Sequence, residues 1–285
     1  MNHLLCFGFG FSAQTFAAQL DKREWKISAT SRDPEGIAGV NARGFHGFLF
    51  DSKLQIAPDV THLLISAPPD ENGDPILRLF QEQLQRLSKQ LKWVGYFSTT
   101  GVYGDRGGDW VDEDSPLEPN TARGQRRLET ERSWLKLHSD YGLPVHLFRL
   151  AGIYGPGRNQ LLTVLNGSAK RIIKPGQIFS RIHVDDIAGV LAASIARPNP
   201  GRAYNVCDDE PCPPQEVVEY AANLLGLPLP PEISFEQAEL SSMAKSFYAD
   251  SKRVSNQRVK NELDYQLHYP NYRDGLRALS SQLTR

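Results

Sequence analysis

Through the first half of the chain, short apolar runs alternate with longer stretches of helical period. Residues 4–7 (LLCF) are followed by 12–20, in which Ala13, Phe16, Ala17 and Leu20 fall on one helical face. Residues 26–30 (KISAT) and 45–50 (FHGFLF) read as the next two strands, with a glycine-broken helix between them. A fourth run, 61–66 (THLLIS), precedes the clearest helix of the chain. There Ile76, Phe80, Leu84, Leu87 and Leu91 recur at steps of four, four, three and four, which draws one apolar stripe. Residues 93–98 (WVGYFS), a polar loop, a helix near 124–139 and 145–150 (VHLFRL) complete the series. Strands too apolar to alternate, joined by helices, predict a parallel sheet covered on both faces. The expected class is α/β, doubly wound.

The second half adds helices with fewer strands. Asp185 or Asp186 is expected to cap the helix IAGVLAASIAR, since a carboxylate accepts the unpaired N–H groups of a first turn. Residues 203–206 (AYNV) read as a further strand. Pro213-Pro214 opens a helix that stops before Gly226, and 227–232 (LPLPPE) is a rigid connector. No internal repeat, low-complexity tract or linker divides the chain into independent modules.

Composition narrows the classes. The 285 residues are 40% hydrophobic and 23% charged, with 32 basic against 33 acidic side chains and a net charge of −1. That is ordinary globular material, without the basic surplus of a nucleic-acid or membrane coat. No apolar run approaches the 18 or so residues a spanning helix needs, and MNHLLCFGFGFSA lacks the basic start and long apolar core of a signal peptide. Cys6, Cys207 and Cys212 form no CxxC pair and, with seven scattered histidines, no zinc constellation, so reduced thiols in the cytoplasm are expected and no metal. Nucleic acid and membrane are not expected partners.

The first chemistry-bearing motif follows the first strand directly. Gly8-Phe9-Gly10-Phe11-Ser12-Ala13 is a GxGxxA fingerprint at the opening of a helix. Gly8 permits a tight turn, Gly10 lets the backbone approach a pyrophosphate, and Ala13 lets helix and strand pack closely. The amides of Phe11, Ser12 and Ala13 then face the phosphates with the positive end of the helix. The second strand ends Thr30-Ser31-Arg32, with no carboxylate at its tip to bond a ribose 2′-hydroxyl. An arginine there can neutralise a 2′-phosphate, which favours NADP(H) over NAD(H); Asp33 lies one residue too late. Asp51, Ser66 and Ala67 sit at the ends of the third and fourth strands, where open parallel sheets bind ligands.

Several stretches in order resemble the extended short-chain dehydrogenase/reductases, the NAD-dependent epimerase/dehydratase group. They are the glycine turn, YFSTTGVYGD (96–105), DEDSPLEPNTARGQRRLETE (112–131), FRLAGIYGPGRN (148–159), RIHVDDIAGV (181–190) and AYNVCDDEP (203–211). The resemblance implies a Rossmann domain over 1–155 and 180–210. It also implies a smaller C-terminal substrate lobe over 156–179 and 211–285, the two forming one integrated unit. A small-molecule substrate follows, nucleotide-sugars being the usual class, and a homodimer is admitted, although no heptad here demonstrates one.

The catalytic residues of that family are a Ser or Thr after the fifth strand and a Tyr-x-x-x-Lys on the next helix. Thr99 matches the first. Aligned on Pro116, Pro119 and Glu131, the Tyr position is Arg123 and the Lys position Arg127, so the chain departs from the pattern and resembles its atypical members. A guanidinium cannot exchange a proton near neutral pH, but it holds carboxylate or phosphate bidentately. Four residues apart on one helix, Arg123 and Arg127 are expected to form an anion clamp. Arg158 and Arg181 are further candidates for substrate phosphate. Tyr103, Tyr154 and His183 are expected to be structural, and 251–260 to be a charged helix flank.

Two functions fit. One is an NADP(H)-dependent oxidoreductase or epimerase on an anionic, sugar-derived substrate, with Thr99 on the reacting oxygen and the arginines on the anion. The alternative is a catalytically silent dinucleotide sensor or scaffold.

Overall fold

The computed structural model describes residues 1–283, and the side chains of residues 242 and 243 are outside that description. Along the first third run β1 (Asn2–Phe7), α1 (Phe11–Gln19), β2 (Trp25–Ser31), α2 (Pro34–Ala42), β3 (His46–Leu49), β4 (His62–Ile65), α3 (Pro75–Leu87) and β5 (Trp93–Thr99). A 3-10 turn (Thr100–Tyr103) leads to β6 (Trp110–Val111), α4 (Ala122–Tyr141), β7 (Val145–Leu150), β8 (Gly152–Tyr154) and α5 (Gln160–Leu165). Then come β9 (Arg171–Ile173), β10 (Arg181–His183), α6 (Val184–Ala196), β11 (Ala203–Val206) and α7 (Pro214–Leu225). The last elements are β12 (Glu232–Ser234), α8 (Ser242–Tyr248), β13 (Arg253–Val254), α9 (Gln257–Leu263) and α10 (Tyr272–Leu283).

The chain forms two compact units. The first comprises Met1–Thr99, Gln125–Arg149 and Ile187–Tyr204. Its framework is a seven-stranded sheet ordered β11-β7-β5-β4-β1-β2-β3, with β1 parallel to β2 and β4, β2 to β3, and β4 to β5. Strand order reverses beside β1, the switch point at which such sheets open a crevice outside their carboxyl ends. The doubly wound sheet is therefore a Rossmann-type fold.

Its core follows from the apolar runs. Residues 63–65 of β4 are fully buried, and so are Ile76, Phe80 and Leu84 of α3, which pack with Phe7, Val94 and Leu147. Each such side chain contributes about 1.5–3 kcal/mol by leaving water. Asp74 starts α3: its Oδ1 accepts from the Ile76 and Leu77 amides at 2.7 and 3.1 Å, and Pro75 occupies the first helical position. Its Oδ2 accepts from the Trp134 indole at 3.0 Å, which joins α3 to α4.

The second unit comprises Thr100–Gly124, Leu150–Asp186 and Asn205–Arg285. It holds three two-stranded parallel ladders, β8·β10, β9·β12 and β6·β13. Leu161, Val217, Ala221, Ala222 and Leu276 from α5, α7 and α10 form its core. Gly226, at φ 66°, ends α7 in the left-handed conformation expected of a terminal glycine.

The capping expected of Asp185 or Asp186 is replaced by another arrangement. α6 begins at Val184, so both aspartates lie inside its first turn, and the Nδ1 of His183 accepts from the Asp185 amide at 3.2 Å. Asp186 is fully buried and accepts from the Tyr265 hydroxyl and the His268 and Tyr269 amides at 2.6–3.0 Å. A carboxylate with such partners anchors the 265–269 segment rather than its own helix. No described helix is long and apolar enough to cross a membrane.

Candidate cofactor and active site

The opening turn of the first unit is built around Gly8, whose φ of 85° is one that side-chain-bearing residues rarely adopt. A Cβ there would also lie 3.0 Å from the Ala67 amide nitrogen. The turn is pinned from both neighbouring strands. Gly8 N–H donates to Thr30 Oγ1 of β2 at 3.0 Å, while the Ser66 and Ala67 amides beyond β4 donate to the Phe7 carbonyl at 2.9 Å. Ser66 and Ala67, read as crevice residues, thus form the wall against which the glycine turn rests.

Gly10 caps α1 without any side-chain hydrogen bond, and a Cβ built on it meets nothing within 4 Å. The first turn of α1, from Phe11 through Ser12 and Ala13, therefore starts without a side-chain cap, beside space left open at Gly10. Ser12 and Ala13 are buried against the sheet and Phe11 is half-buried. This cradle fits a diphosphate: backbone donors, no carboxylate in the first helical turn, and glycine where a side chain would intrude.

β2 ends at Ser31, which leaves Arg32 exposed one residue past the strand. Asp33 is committed elsewhere, since its Oδ1 accepts from the Gly36 amide at 2.7 Å and caps α2. A Cβ on Gly36 would fall 2.0 Å from Ser31 Oγ, so that glycine keeps the strand tip clear. Asp51, after β3, accepts from the Lys53 and Leu54 amides at 2.8 and 3.1 Å in a local turn.

Thr99 is the last residue of β5 and is half-buried. The strand leading to it is fixed from beneath by a buried polar network that spacing alone does not reveal. Arg127 of α4, 8% exposed, donates to the Phe97 carbonyl, and to the Tyr96 hydroxyl at 3.3 Å; its guanidinium carbon lies 5.7 Å from the Tyr96 ring centre. Ser98 Oγ donates to Glu131 Oε1 at 2.5 Å, and Arg149 grips both oxygens of Glu131 at 3.1 and 2.8 Å. Burial pushes the Asp74 carboxyl up and the Tyr96 phenol well above its usual range, so Tyr96 stays neutral.

Arg123 and Arg127 of α4 consequently differ. Arg127 spends donors on β5, whereas Arg123, in the second unit, is exposed and packs its guanidinium 5.5 Å from the Phe247 ring centre. In the same unit Arg158 is exposed, and Arg181 is turned inward, donating to the Phe179 carbonyl and Cys212 Sγ at 3.1 Å. Tyr103 donates to Asn205 Oδ1 at 2.7 Å inside the fold, and Cys6, Cys207 and Cys212 are buried free thiols.

A buried polar group that includes Tyr154 and His183 lies beside Arg181. Tyr154, His183 and Asp208 are at most 5% exposed, and Tyr154 Oη, His183 Nε2 and Asp208 Oδ2 have no hydrogen-bond partner among the described residues. The Tyr154 and His183 rings meet edge-on, with centres 5.1 Å apart. Burial moves the Asp208 carboxyl up to about 8 and the His183 imidazole down to about 4, so both tend to neutrality near pH 7.

Residues 77–207 match the NAD dependent epimerase/dehydratase family model. A functionally unknown conserved protein from Silicibacter pomeroyi is 51% identical over 100% of both chains, with a TM-score of 0.94. Protein YeeZ of Escherichia coli K12 is 27% identical over 95% of this chain and 97% of its own. The dTDP-glucose 4,6-dehydratase of Bacillus anthracis, solved in complex with NAD, is 19% identical over 100% of this chain and 96% of that one. Its TM-score is 0.78, a likeness of fold. With the strand order already described, these findings show a likeness to the NAD dependent epimerase/dehydratase family over residues 77–207 and a shared fold with the solved dehydratase.

Proposed function

We propose that the protein is an NADP(H)-dependent oxidoreductase or epimerase acting on an anionic small molecule. The observation that carries this reading is the open, uncapped start of α1 behind the positive-φ Gly8, a cradle for a diphosphate. Amides of the 8–13 segment would hold the phosphates, and Ser66 and Ala67 would line the adjacent wall. Arg32, exposed past β2 with Asp33 already used as a cap, supports a 2′-phosphate and hence NADP(H) over NAD(H). The dinucleotide supplies hydride exchange when bound.

The chain's own residues then do the following. Thr99 donates a hydrogen bond to the reacting oxygen, at the tip of a strand that Arg127, Glu131 and Arg149 hold rigid. Arg123, standing where the family has its tyrosine, binds the substrate anion rather than moving a proton. Rigid positioning of this sort supplies part of the barrier lowering that the missing acid/base would otherwise add. The substrate is a small anionic molecule.

The test is a pair of substitutions. Arg32→Ala is expected to weaken NADPH binding at least tenfold more than NADH binding, and Thr99→Ala to abolish NADPH-dependent turnover in a carbonyl and nucleotide-sugar screen. Equal losses for the two nucleotides would remove Arg32 from the 2′-phosphate.

A second reading, a silent dinucleotide sensor or scaffold, is favoured by one observation: Arg127, at the lysine position, is buried and bonded to the Phe97 carbonyl. Saturable NADPH binding without turnover, unchanged by Thr99→Ala, would select it.

A further inference from the structure

The first unit holds a basic hollow that dinucleotide binding does not use. Its volume is about 340 Å³, enough for a small molecule, and it opens where β2 and β3 begin. Lys22, Trp25, Lys26, Gly44, Phe45 and His46 line it, and no carboxylate does. The glycine turn follows the carboxyl end of β1, which runs parallel to β2, and none of its residues reaches this wall.

The cations of the hollow are not alike. Lys26 Nζ donates to Asp59 Oδ2 at 2.8 Å, so its charge is met within the protein. The Lys22 ammonium lies 5.2 Å from the centre of the Phe45 ring and donates to the Arg43 carbonyl at 3.4 Å. A Cβ on Gly44 would fall 3.2 Å from that nitrogen, so glycine there leaves the ammonium its room. Among the described residues no carboxylate pairs with Lys22 or with the exposed His46. The charged neighbours are occupied: Arg23 chelates Asp21, and Arg43 donates to the Gly39 carbonyl at 2.7 Å. Trp25 supplies the apolar wall. It is half-buried, and its indole rests on the buried His62, with ring centres 4.6 Å apart. A positioned ammonium without a counter-ion and a fixed aromatic ring thus share one concavity.

We infer that this hollow binds a phosphate monoester carried on an aromatic ring. Lys22 and His46 are single-point donors on separate segments, which suits a tetrahedral oxyanion. The planar fork that selects a carboxylate is missing from the wall, because neither Arg23 nor Arg43 lines it. The ligand's ring stacks on Trp25, a contact open to any flat ring. The inference does not depend on the proposed function, since the hollow and the glycine turn share no residue.

The test titrates phenyl phosphate, cyclohexyl phosphate (the same ester on a saturated ring) and benzoate into the full chain by calorimetry, with and without saturating NADPH. Phenyl phosphate is expected to bind saturably, about fivefold or more tightly than either control, and NADPH should not displace it. Lys22→Gln and Trp25→Leu should each weaken it by about fivefold or more. Trp25→Phe should retain it, and Arg23→Gln should leave it unchanged. Should Trp25→Leu fail to fold, the exposed Lys22→Gln substitution and the comparison of the two esters still decide. No saturable binding, displacement by NADPH, equal affinity for the two esters, or indifference to Lys22→Gln overturns the inference. Binding of phenyl phosphate by a protein that takes no NADPH supports it and overturns the proposed function instead.

Discussion

Arg127 shows how one residue type can occupy a functional alignment position and do structural work there. The sequence resemblance leads one to expect it at the family's lysine, and its spacing to Arg123 predicts a shared anion clamp. In the fold it is 8% exposed and donates to the Phe97 carbonyl and the Tyr96 hydroxyl, two residues short of Thr99. Its partner is a main-chain carbonyl thirty positions earlier, a contact without any residue-type signature. Asp33, considered in the sequence only as a ribose ligand, is instead a local cap, its carboxylate three residues before the Gly36 amide it accepts from. Removing the Arg127 guanidinium leaves a buried carbonyl unmet and empties a packed site. Arg127→Met is therefore expected to cost about 1–3 kcal/mol of unfolding free energy from the unmet hydrogen bonds, measured by urea denaturation. Arg127→Lys should recover part of that loss. A Met variant as stable as wild type would show that the contact to Phe97 carries no weight.

At the scale of elements, hydrophobic period was enough for the central sheet and its helices. The runs at 4–7, 26–30, 61–66, 93–98 and 145–150 all correspond to sheet strands within a few residues of their expected ends, and the 76–91 stripe corresponds to α3 as far as Leu87, with Leu91 past the helix end. The small ladders were not legible. β6 and β13 are two residues each and pair Trp110 with Arg253, so neither is long enough to show alternation and the partners are far apart in the chain. α6 begins earlier than the sequence predicts for a related reason. Asp186 resembles a cap in isolation, but its oxygens are taken by residues 265–269. The glycine turn was legible in full, since a strand, a tight turn and a helix start are all local. The candidate site was therefore readable where it is made of backbone and opaque where it depends on buried side-chain pairs such as Glu131–Arg149.

For the molecule as a whole, the buried titratable groups set opposite slopes of stability against pH. Burial lowers His62, His146 and His183 to about 4, below their ordinary 6.5. Between those values the unfolded chain binds more protons, so stability falls as pH drops from about 6.5 to 4. Asp208 works in the other direction. Its folded-state value near 8 exceeds the ordinary 3.8, so the folded chain holds the extra proton and this contribution is lost as pH rises from about 4 to 8. Asp208→Asn mimics the neutral acid and should remove that loss. The variant is expected to gain stability relative to wild type steadily between pH 5 and 8, by denaturant titration at each pH. A difference that stays flat with pH would show Asp208 to be ionised throughout.

The glycine turn as a diphosphate cradle underlies both functions proposed for the molecule. Calorimetric titration of NADPH into wild type and Gly8→Ala tests it directly, since the alanine meets both a positive φ and the Ala67 amide 3.0 Å away. The prediction is saturable one-to-one binding by wild type, tighter for NADPH than for NADH, and at least tenfold weaker binding by a folded Gly8→Ala protein. No heat and no thermal stabilisation with any oxidised or reduced pyridine nucleotide, or undiminished binding by the alanine variant, would contradict it.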